Sequence, residues 1–201
     1  MSGSGDDAPG SRPDPDAALM ARVRTGDRAA YRELYEKHFG AIVRYAMGFT
    51  GNRARAEELG QEVFLQVYRA RDRWEPRARF TTWLYTIAHN ACLNEVRRFG
   101  YRGRIDSLDR PGGAPTEIED PRAVSADESV SVEELRGRLR ELIAELPDAQ
   151  RSALVLSRRE GMVYEEVARV LGCTEQAVKS LIFRATRHLK EGLKAWVQDE
   201  R

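Results

Sequence analysis

One stretch near the carboxyl end of the chain places six side chains at intervals of three or four residues. Such intervals put side chains on one face of an α-helix. Polar side chains can hydrogen-bond to base edges and cations can pair with phosphates, so this recognition face suits a helix that enters the major groove of DNA. Its residues are Gln176, Lys179, Ser180, Phe183, Arg184 and Arg187.

The residues before the recognition face indicate the element that positions it, a helix-turn-helix. Val167, Ala168 and Leu171 form the inner face of a first helix, and Gly172 permits the positive φ of a tight turn. Thr174 can cap the second helix. The alternative is an ordinary helical hairpin with a solvated charged face. The glycine spacing, the small Ala168 and the basic outer face favour DNA binding, although two-component response regulators carry a similar motif.

A predicted helix over about residues 54–71 has two contrasting faces. An apolar stripe faces inward, and Gly60 weakens the helix by up to about 1 kcal/mol. Carboxylates and amides on the outer face can pair with arginine and lysine of a partner, but taken alone such a pattern is more typical of a solvated face. This acidic-amide face consists of Glu58, Gln61, Glu62 and Gln66.

The net charge of +1 hides a strong segregation of charge along the chain. Residues 19–104 carry a net charge of +8 and residues 136–201 a net charge of +3. The segments 1–18 and 105–135 are acidic, with net charges of −3 and −7. Two basic blocks separated by an acidic one indicate two domains that face a polyanion, joined by a segment that avoids it.

The pattern of helix signals and breaks predicts an all-α protein with two small helical domains. Residues 1–16 are rich in Gly, Ser, Pro and Asp, and we expect them to form a disordered tail. Apolar residues recur at helical spacing through residues 17–101 and again through residues 133–198. Between them, residues 102–132 contain glycines, prolines and much of the acidic excess, which predicts a flexible acidic linker.

Composition excludes membrane and disulfide-rich classes of protein. No stretch approaches the roughly 20 apolar residues that cross a bilayer, and the amino terminus lacks the pattern of a secretory signal. We therefore expect a cytoplasmic protein without membrane insertion. Cys92 and Cys173 are too few and too far apart for a disulfide framework. His89 and Cys92 could share a metal ion, but no second pair is visible, so we expect no metal and no cofactor.

The side chains of an active site are also missing from the sequence. His38, His89 and His188 are scattered, without a Ser-His-Asp order, paired catalytic carboxylates or a phosphate-binding glycine loop. We therefore expect a protein that is not an enzyme, with no catalytic residue and no small-molecule substrate.

Two separate parts of the chain resemble one known family. The motif AEELGQEVF at residues 56–64, followed by FTTWLYTIAHN at residues 80–90, resembles the core signature of sigma-70 family factors. Residues 146–189 are similar to the family's fourth conserved region. The resemblance covers residues 19–101 and 133–196 in the family's order. It is to the extracytoplasmic-function (ECF) group, which keeps only the second and fourth regions.

The resemblance implies an alternative sigma factor that binds core RNA polymerase, directs it to specific promoters and assists promoter melting. It assigns residues 17–101 to region 2 and residues 133–198 to region 4. The acidic-amide face would dock on the polymerase, and the recognition face would read the −35 element. An anti-sigma factor is a further partner that the resemblance implies.

The resemblance also implies a surface in region 2 that binds the −10 element. Asparagine can read base edges, and aromatic and arginine side chains can stack on unpaired bases. Burial in the core is the more typical place for Phe80 and for the nearby Trp83. Arg77 and Arg79 could be solvated, whereas Arg97 and Arg98 belong to a basic run that phosphate binding explains better. The assigned residues are Trp74, Arg77, Arg79, Phe80, Asn90, Arg97 and Arg98.

A stand-alone helix-turn-helix regulator is the alternative function. In that case residues 17–101 would form a dimerisation or sensor domain, and Asn90 would have no role. Such a regulator would bind a palindromic site without polymerase, because a protein dimer matches two half-sites on DNA.

Overall fold

The computed structural model describes residues 14–76, 78–102 and 126–199, with side chains described within 14–76, 78–98 and 132–198. All regular elements of these residues are helical, which confirms the predicted all-α class. Residues 1–13 of the expected tail, Arg77 and residues 103–125 of the expected linker lie outside the described residues. In chain order the elements are α1 (Pro15–Arg24), α2 (Arg28–Thr50), α3 (Arg53–Arg69), a 3-10 turn (Arg71–Arg73), α4 (Phe80–Arg102), α5 (Ala126–Glu145), α6 (Asp148–Arg158), α7 (Tyr164–Leu171) and α8 (Glu175–Asp199).

The first helix begins inside the segment that composition assigned to the tail. Asp14 caps α1 by accepting the Asp16 N–H at 3.1 Å, and its Oδ2 also accepts the Phe80 N–H at 2.7 Å. The Asp16 carboxylate is buried, at 2.6 Å from Lys37 Nζ and 2.9 Å from His38 Nε2. Residues 14–16 therefore belong to the folded chain, and the expected tail boundary at residue 16 is wrong. Composition did not indicate this, because the partners of Asp16 lie more than twenty residues away in sequence.

Helices α2, α3 and α4 enclose the core of the amino-terminal region. Asp27 and Asn52 cap α2 and α3 through their side chains, as short polar residues do at helix starts. Gly60 lies where α2 and α3 approach closely, since a Cβ there would stand 3.1 Å from both Phe39 Cε2 and Val43 Cγ2. Glycine at this position lowers the helix propensity of α3 but allows α2 and α3 to approach closely.

The expected linker is shorter than its composition indicates. Helix α4 continues to Arg102 and α5 begins at Ala126, so residues 126–132 are helical. The expected linker boundary at residue 132 therefore lies inside α5, because the backbone is already helical from Ala126.

Helices α5 to α8 form the carboxyl-terminal region. Gly172 ends α7 with a φ of +64°, as the predicted tight turn requires. Helix α5 packs on α8, where a Cβ at Gly192 would overlap Leu142 Cδ2. Among the helices of the described ranges, none is both long and apolar enough to cross a bilayer.

The two regions pack directly against each other. Helix α7 lies on α4, and α6 contacts α2. Ala153, Leu156, Met162 and Val167 of the carboxyl-terminal region belong to the same buried apolar cluster as the core of α2, α3 and α4. The two regions predicted from the sequence therefore share one continuous core in this structure.

Candidate functional site

The acidic-amide face lies on the solvent side of α3. Glu58, Gln61 and Glu62 are exposed and Gln66 is half-buried, while the opposite side of the helix is buried in the core. Leu65 lies in the same surface and exposes 52% of its area. Leu65 adds apolar area that a partner can cover beside the carboxylates and amides of the face. It was not predicted from the sequence, although its position between Glu62 and Gln66 could have indicated it.

Arg55 fixes the acidic-amide face relative to α4. Its Nη1 lies 2.5 Å from Glu58 Oε2, and its Nε donates to the buried carboxylate of Glu95 on α4. The hydrogen bond from Arg55 to Glu95 raises the pKa of the guanidinium above its ordinary value, and the hydrogen bond to Glu58 adds a smaller effect in the same direction. Arg55 thus connects the acidic-amide face to the helix that carries the candidate −10 residues.

Helix α4 presents a polar stripe to solvent. Asn90, Arg97 and Arg98 are exposed, as the sequence predicts for residues that contact DNA. Asn94 is also exposed and stands one helical turn after Asn90, so both amides share the face that Arg97 extends. Asn94 was not predicted from the sequence, although its four-residue spacing from Asn90 places both on one helix face. We call Asn90, Asn94 and Arg97 the α4 stripe.

Two aromatic residues assigned to the −10 surface lie in the core. Trp74 is 2% exposed and Phe80 is fully buried, next to His38 at 5.6 Å and Trp83 at 6.1 Å between ring centroids. Their assignment to the DNA surface is withdrawn, because a buried ring cannot stack on a base without leaving the core. Arg77, the neighbouring assignment, lies outside the described residues.

Arg79 lies at the boundary between the two regions. Its side chain is 60% exposed, and its Nε lies 4.0 Å from Oε1 of Glu166 on α7. The same carboxylate oxygen accepts the hydroxyl of Thr82 at 3.2 Å, and Oε2 accepts the Val163 N–H at 3.2 Å. A candidate DNA-binding arginine therefore lies near an acid of the helix-turn-helix while most of its side chain is exposed.

The recognition face lies on the outer side of α8. All six of its side chains are exposed, and Phe183 exposes 67% of its area. Val178, Ile182 and Ala185 are buried on the inner side, which fixes the rotation of the helix. Thr174 Oγ1 accepts the Ala177 N–H at 3.2 Å, so this threonine caps α8. The side chains predicted to meet DNA thus form one accessible surface.

A buried polar cluster lies between α2, α4 and α6. The Tyr45 hydroxyl lies 2.9 Å from His89 Nδ1 and 3.2 Å from Ser152 Oγ. Burial lowers the pKa of His89 and raises the pKa of the Cys92 thiol to about 12. Within the described ranges, no three or more His, Cys, Asp or Glu side chains are grouped so that they could hold a metal ion. The cluster therefore joins the amino-terminal region to the carboxyl-terminal region.

Two family models match the chain in the order that the resemblance implies. The model described as Sigma-70 region 2 matches residues 34–100, and the model described as Sigma-70, region 4 matches residues 136–189. The first match contains the acidic-amide face and the α4 stripe. The second contains the recognition face.

Two curated relatives support the same family. The ECF RNA polymerase sigma-E factor of Escherichia coli K12 is 31% identical, over 85% of this chain and 90% of its own length. RNA polymerase sigma factor CarQ of Myxococcus xanthus is 32% identical, over 86% and 94%.

The fold is similar to that of the sigma factor RpoE in a complex with the anti-sigma factor NepR from Bartonella quintana. That structure has a TM-score of 0.67 and 22% identity, over 82% of this chain and 96% of that one. With both family models matched in order and two relatives above 30% identity, the chain belongs to the sigma-70 family of RNA polymerase sigma factors, in its ECF group.

Proposed function

We propose that this sigma factor divides its work among three exposed surfaces: one for core RNA polymerase, one for unpaired −10 DNA and one for duplex −35 DNA. The observation that carries the proposal is that the acidic-amide face, the α4 stripe and the recognition face lie on three different helices. Each surface can therefore bind its own partner while the other two are occupied.

The acidic-amide face is proposed to bind core RNA polymerase. Its carboxylates and amides can form charge-assisted hydrogen bonds with arginine and lysine, and Leu65 adds apolar area to the contact. The ion pair of Arg55 with Glu58 leaves Gln61 and Glu62 as the more accessible polar groups of the face. These two side chains, with Leu65, are the proposed centre of the contact.

The α4 stripe is proposed to hold unpaired bases of the −10 element. Asn90 and Asn94 offer amide groups to base edges, and Arg97 and Arg98 offer charge to the phosphates of the same strand. Because Trp74 and Phe80 are buried, the proposed contact depends on amide hydrogen bonds and charge more than on stacking. Binding of an unpaired strand would favour the melted form of the promoter by mass action.

The recognition face is proposed to read the −35 element in the major groove. Gln176 and Ser180 can bond to base edges, while Lys179, Arg184 and Arg187 supply phosphate contacts. The Ser180 hydroxyl donates to the Gln176 carbonyl oxygen at 3.0 Å, and Arg184 Nε donates to the Ser180 carbonyl oxygen at 3.2 Å. These bonds orient two of the side chains along the helix before DNA arrives.

The stand-alone regulator is not favoured, because residues 34–100 match the Sigma-70 region 2 model, whereas the regulator requires a dimerisation or sensor domain there. The chain is proposed to act by binding alone, without a chemical step of its own. An anti-sigma partner is also proposed, on the family resemblance. Co-purification of a small partner protein with this chain from its host checks that proposal.

Reversal of one charge in the acidic-amide face tests the proposed function. Glu62→Lys places a cation against a basic polymerase surface, and we expect its affinity for core RNA polymerase to fall at least tenfold. Promoter-specific transcription in vitro should fall with it. The matched control is Glu33→Lys, the same reversal at an exposed position of α2.

Both variants should bind duplex promoter DNA equally well, because neither change touches the recognition face. Equal binding of core polymerase by the Glu62→Lys variant, the control and the unchanged chain would contradict the proposed docking surface.

A further inference from the structure

We propose that a cavity between α2 and the carboxyl-terminal helices binds an anionic amphiphile, a small molecule with a carboxylate or phosphate head and an unbranched alkyl chain. The cavity has a volume of about 490 Å³, within the size range of ligand sites. At roughly 30 Å³ for each heavy atom it has room for about sixteen atoms, enough for a head group on a chain of about ten carbons. This binding site is distinct from the three surfaces of the proposed function.

The interior of the cavity is apolar. Helix α2 supplies one wall, and α5, α6 and α8 supply the others. Most of the lining surface comes from apolar side chains that are partly or wholly buried. An alkyl chain that replaces water at such a surface gains the hydrophobic free energy of burial. The apolar side chains include Met47, Phe49, Leu139, Ile143, Leu154 and Leu189.

Arginines surround this apolar interior. Four arginines of the lining are exposed, so the cavity meets solvent at a cationic rim. Arg140 pairs with Glu133, whereas the other three pair with no carboxylate of the residues that the structure describes. The lining also contains one acid, Glu160. This excess of positive charge is complementary to an anionic head group. The exposed arginines are Arg44, Arg140, Arg158 and Arg159.

A fifth arginine, Arg151 of α6, offers a hydrogen-bond donor inside the cavity. Its side chain is only 10% exposed. Nη1 donates to the carbonyl oxygens of Ala144 and Leu146 at 3.0 and 3.3 Å, and Nη2 pairs with Asp148. Nε is buried and has no hydrogen-bond partner among the described residues. Because a buried donor without an acceptor is costly, an anionic oxygen placed at Nε would gain a charge-assisted hydrogen bond.

Helix α2 leaves room beside this nitrogen. A Cβ at Gly48 would lie 3.5 Å from Arg151 Nε, so the lack of a side chain at this position keeps the nitrogen accessible from the cavity. The centre of the Phe49 ring lies 5.2 Å from the guanidinium carbon of Arg151. The donor and the apolar lining are therefore adjacent, as an amphiphile with its head at Arg151 requires.

An ordinary solvated surface is the alternative explanation for the exposed arginines. Long cationic side chains commonly cover apolar surface with their alkyl stems while the charge stays in water. That behaviour accounts for Arg158 and Arg159 alone. It does not account for the buried Nε of Arg151, which has neither water nor a carboxylate to receive its hydrogen. This group favours a ligand with an acceptor oxygen.

Calorimetric titration of the full chain with four amphiphiles of equal chain length tests the proposal, with each kept below the concentration at which it forms micelles. We expect decanoate and decyl phosphate to bind one molecule per chain, and the tighter of the two identifies the head group. Decanol and decyltrimethylammonium should bind at least tenfold more weakly, because neither has an anionic oxygen for Arg151. Equal affinity for decanoate and decyltrimethylammonium, or no binding of either anion at about 1 mM, would overturn the proposal.

Gly48→Ala tests the position of the head group. The new methyl group would contact Arg151 Nε, and we expect the affinity for decanoate to fall at least tenfold. Alanine is the better helix former, so the variant should fold. The matched control is Gly137→Ala in α5, where an added Cβ meets no atom within 4 Å and the affinity should not change. Equal affinity in the two variants would show that the anion binds elsewhere.

The double change Arg158→Gln with Arg159→Gln tests the rim. Loss of two charges should weaken decanoate binding several-fold and leave decanol binding unchanged, because only decanoate carries a charge. The control, Arg169→Gln, removes an exposed arginine of α7 outside the lining. A fall of equal size in the control would mean general attraction to a basic protein and would contradict the site. These titrations need neither polymerase nor DNA, so their failure is distinct from a failure of the proposed function.

Discussion

Buried ionisable and polar side chains define the contact between the two regions at the scale of single residues. His89 of α4 is 6% exposed, and burial lowers the pKa of its imidazole. Its ring faces Tyr45 on α2, and Cys92 follows it by three residues in α4. Helix α6 packs against the same cluster with Asp148, Arg151 and Ser152. The Tyr45 hydroxyl donates to Ser152 Oγ at 3.2 Å, its oxygen lies 2.9 Å from Nδ1 of the imidazole, and burial disfavours the charged form of the ring.

Acidification should therefore destabilise the protein through His89. In the unfolded chain the imidazole gains its proton near its ordinary pKa of 6.5, whereas the folded chain takes it up only at lower pH. The free energy of unfolding should fall as the pH drops below that ordinary value, until the folded form is protonated as well.

Urea unfolding at pH 7.5 and pH 5.5 measures this effect. His89→Gln should show a smaller loss of stability between the two pH values than the unchanged chain does. His188→Gln, at the more exposed histidine beside Glu145, is the control and should keep the full loss. An equal loss in both variants would exclude His89 as the source.

At the scale of elements, local residues predicted the helices, whereas the ends of the tail and of the linker were misplaced. The helix-turn-helix followed from Gly172 and Thr174, whose turn and cap are as expected. The two faces of α3 followed from the spacing of its apolar residues. The tail boundary at residue 16 was placed too late, because Asp16 gains Lys37 and His38 as partners only in the folded chain.

Burial was the property of the candidate site that the sequence predicted least well. The recognition face was predicted because helical spacing alone places its side chains on one face, whereas the exposed positions of α4 were assigned by the family resemblance. The burial of Trp74, and the contact of Arg79 with Glu166, depend on the packing of segments far apart in sequence. Periodicity within one helix carries no information about such contacts.

Two glycines in different helices should respond oppositely to alanine. At Gly137 in α5 an added Cβ meets no atom within 4 Å, so Gly137→Ala should stabilise the protein by about 0.5–1 kcal/mol through helix propensity. At Gly60 an added Cβ would stand 3.1 Å from both Phe39 and Val43. Overpacking there costs roughly 1–3 kcal/mol, which offsets or exceeds the same gain in propensity.

Thermal or urea unfolding of the two variants decides between propensity and packing. We expect Gly137→Ala to be more stable than the unchanged chain and Gly60→Ala to be no more stable or less stable. A stabilisation of about 1 kcal/mol in both would show that α2 and α3 yield easily at their contact.

At the scale of the whole molecule, the shared core couples regions that the sequence presents as separate domains. Leu156 of α6 is fully buried in the cluster that also contains Leu84 of α4 and Ile42 of α2. A change in one region should therefore be felt in the other, because they lose common contacts when either unfolds.

Leu156→Ala tests this coupling. Truncation of a buried leucine costs about 2–5 kcal/mol, and part of that loss should reach the amino-terminal region. In a Trp196→Phe background, fluorescence comes only from Trp74 and Trp83, which both lie in that region. We expect the urea midpoint seen by these two residues to fall. An unchanged midpoint, together with a loss of helix in the carboxyl-terminal region, would show that the regions unfold independently.

The exposure of the outer side of α8 has a consequence for the first encounter with a promoter. Gln176 and Lys179 can meet an intact double helix without movement of the helix that carries them, because Val178, Ile182 and Ala185 already fix its rotation. Recognition of an upstream sequence therefore carries no cost of ordering the reading helix, so the chain can sample many sites quickly before it stays at one.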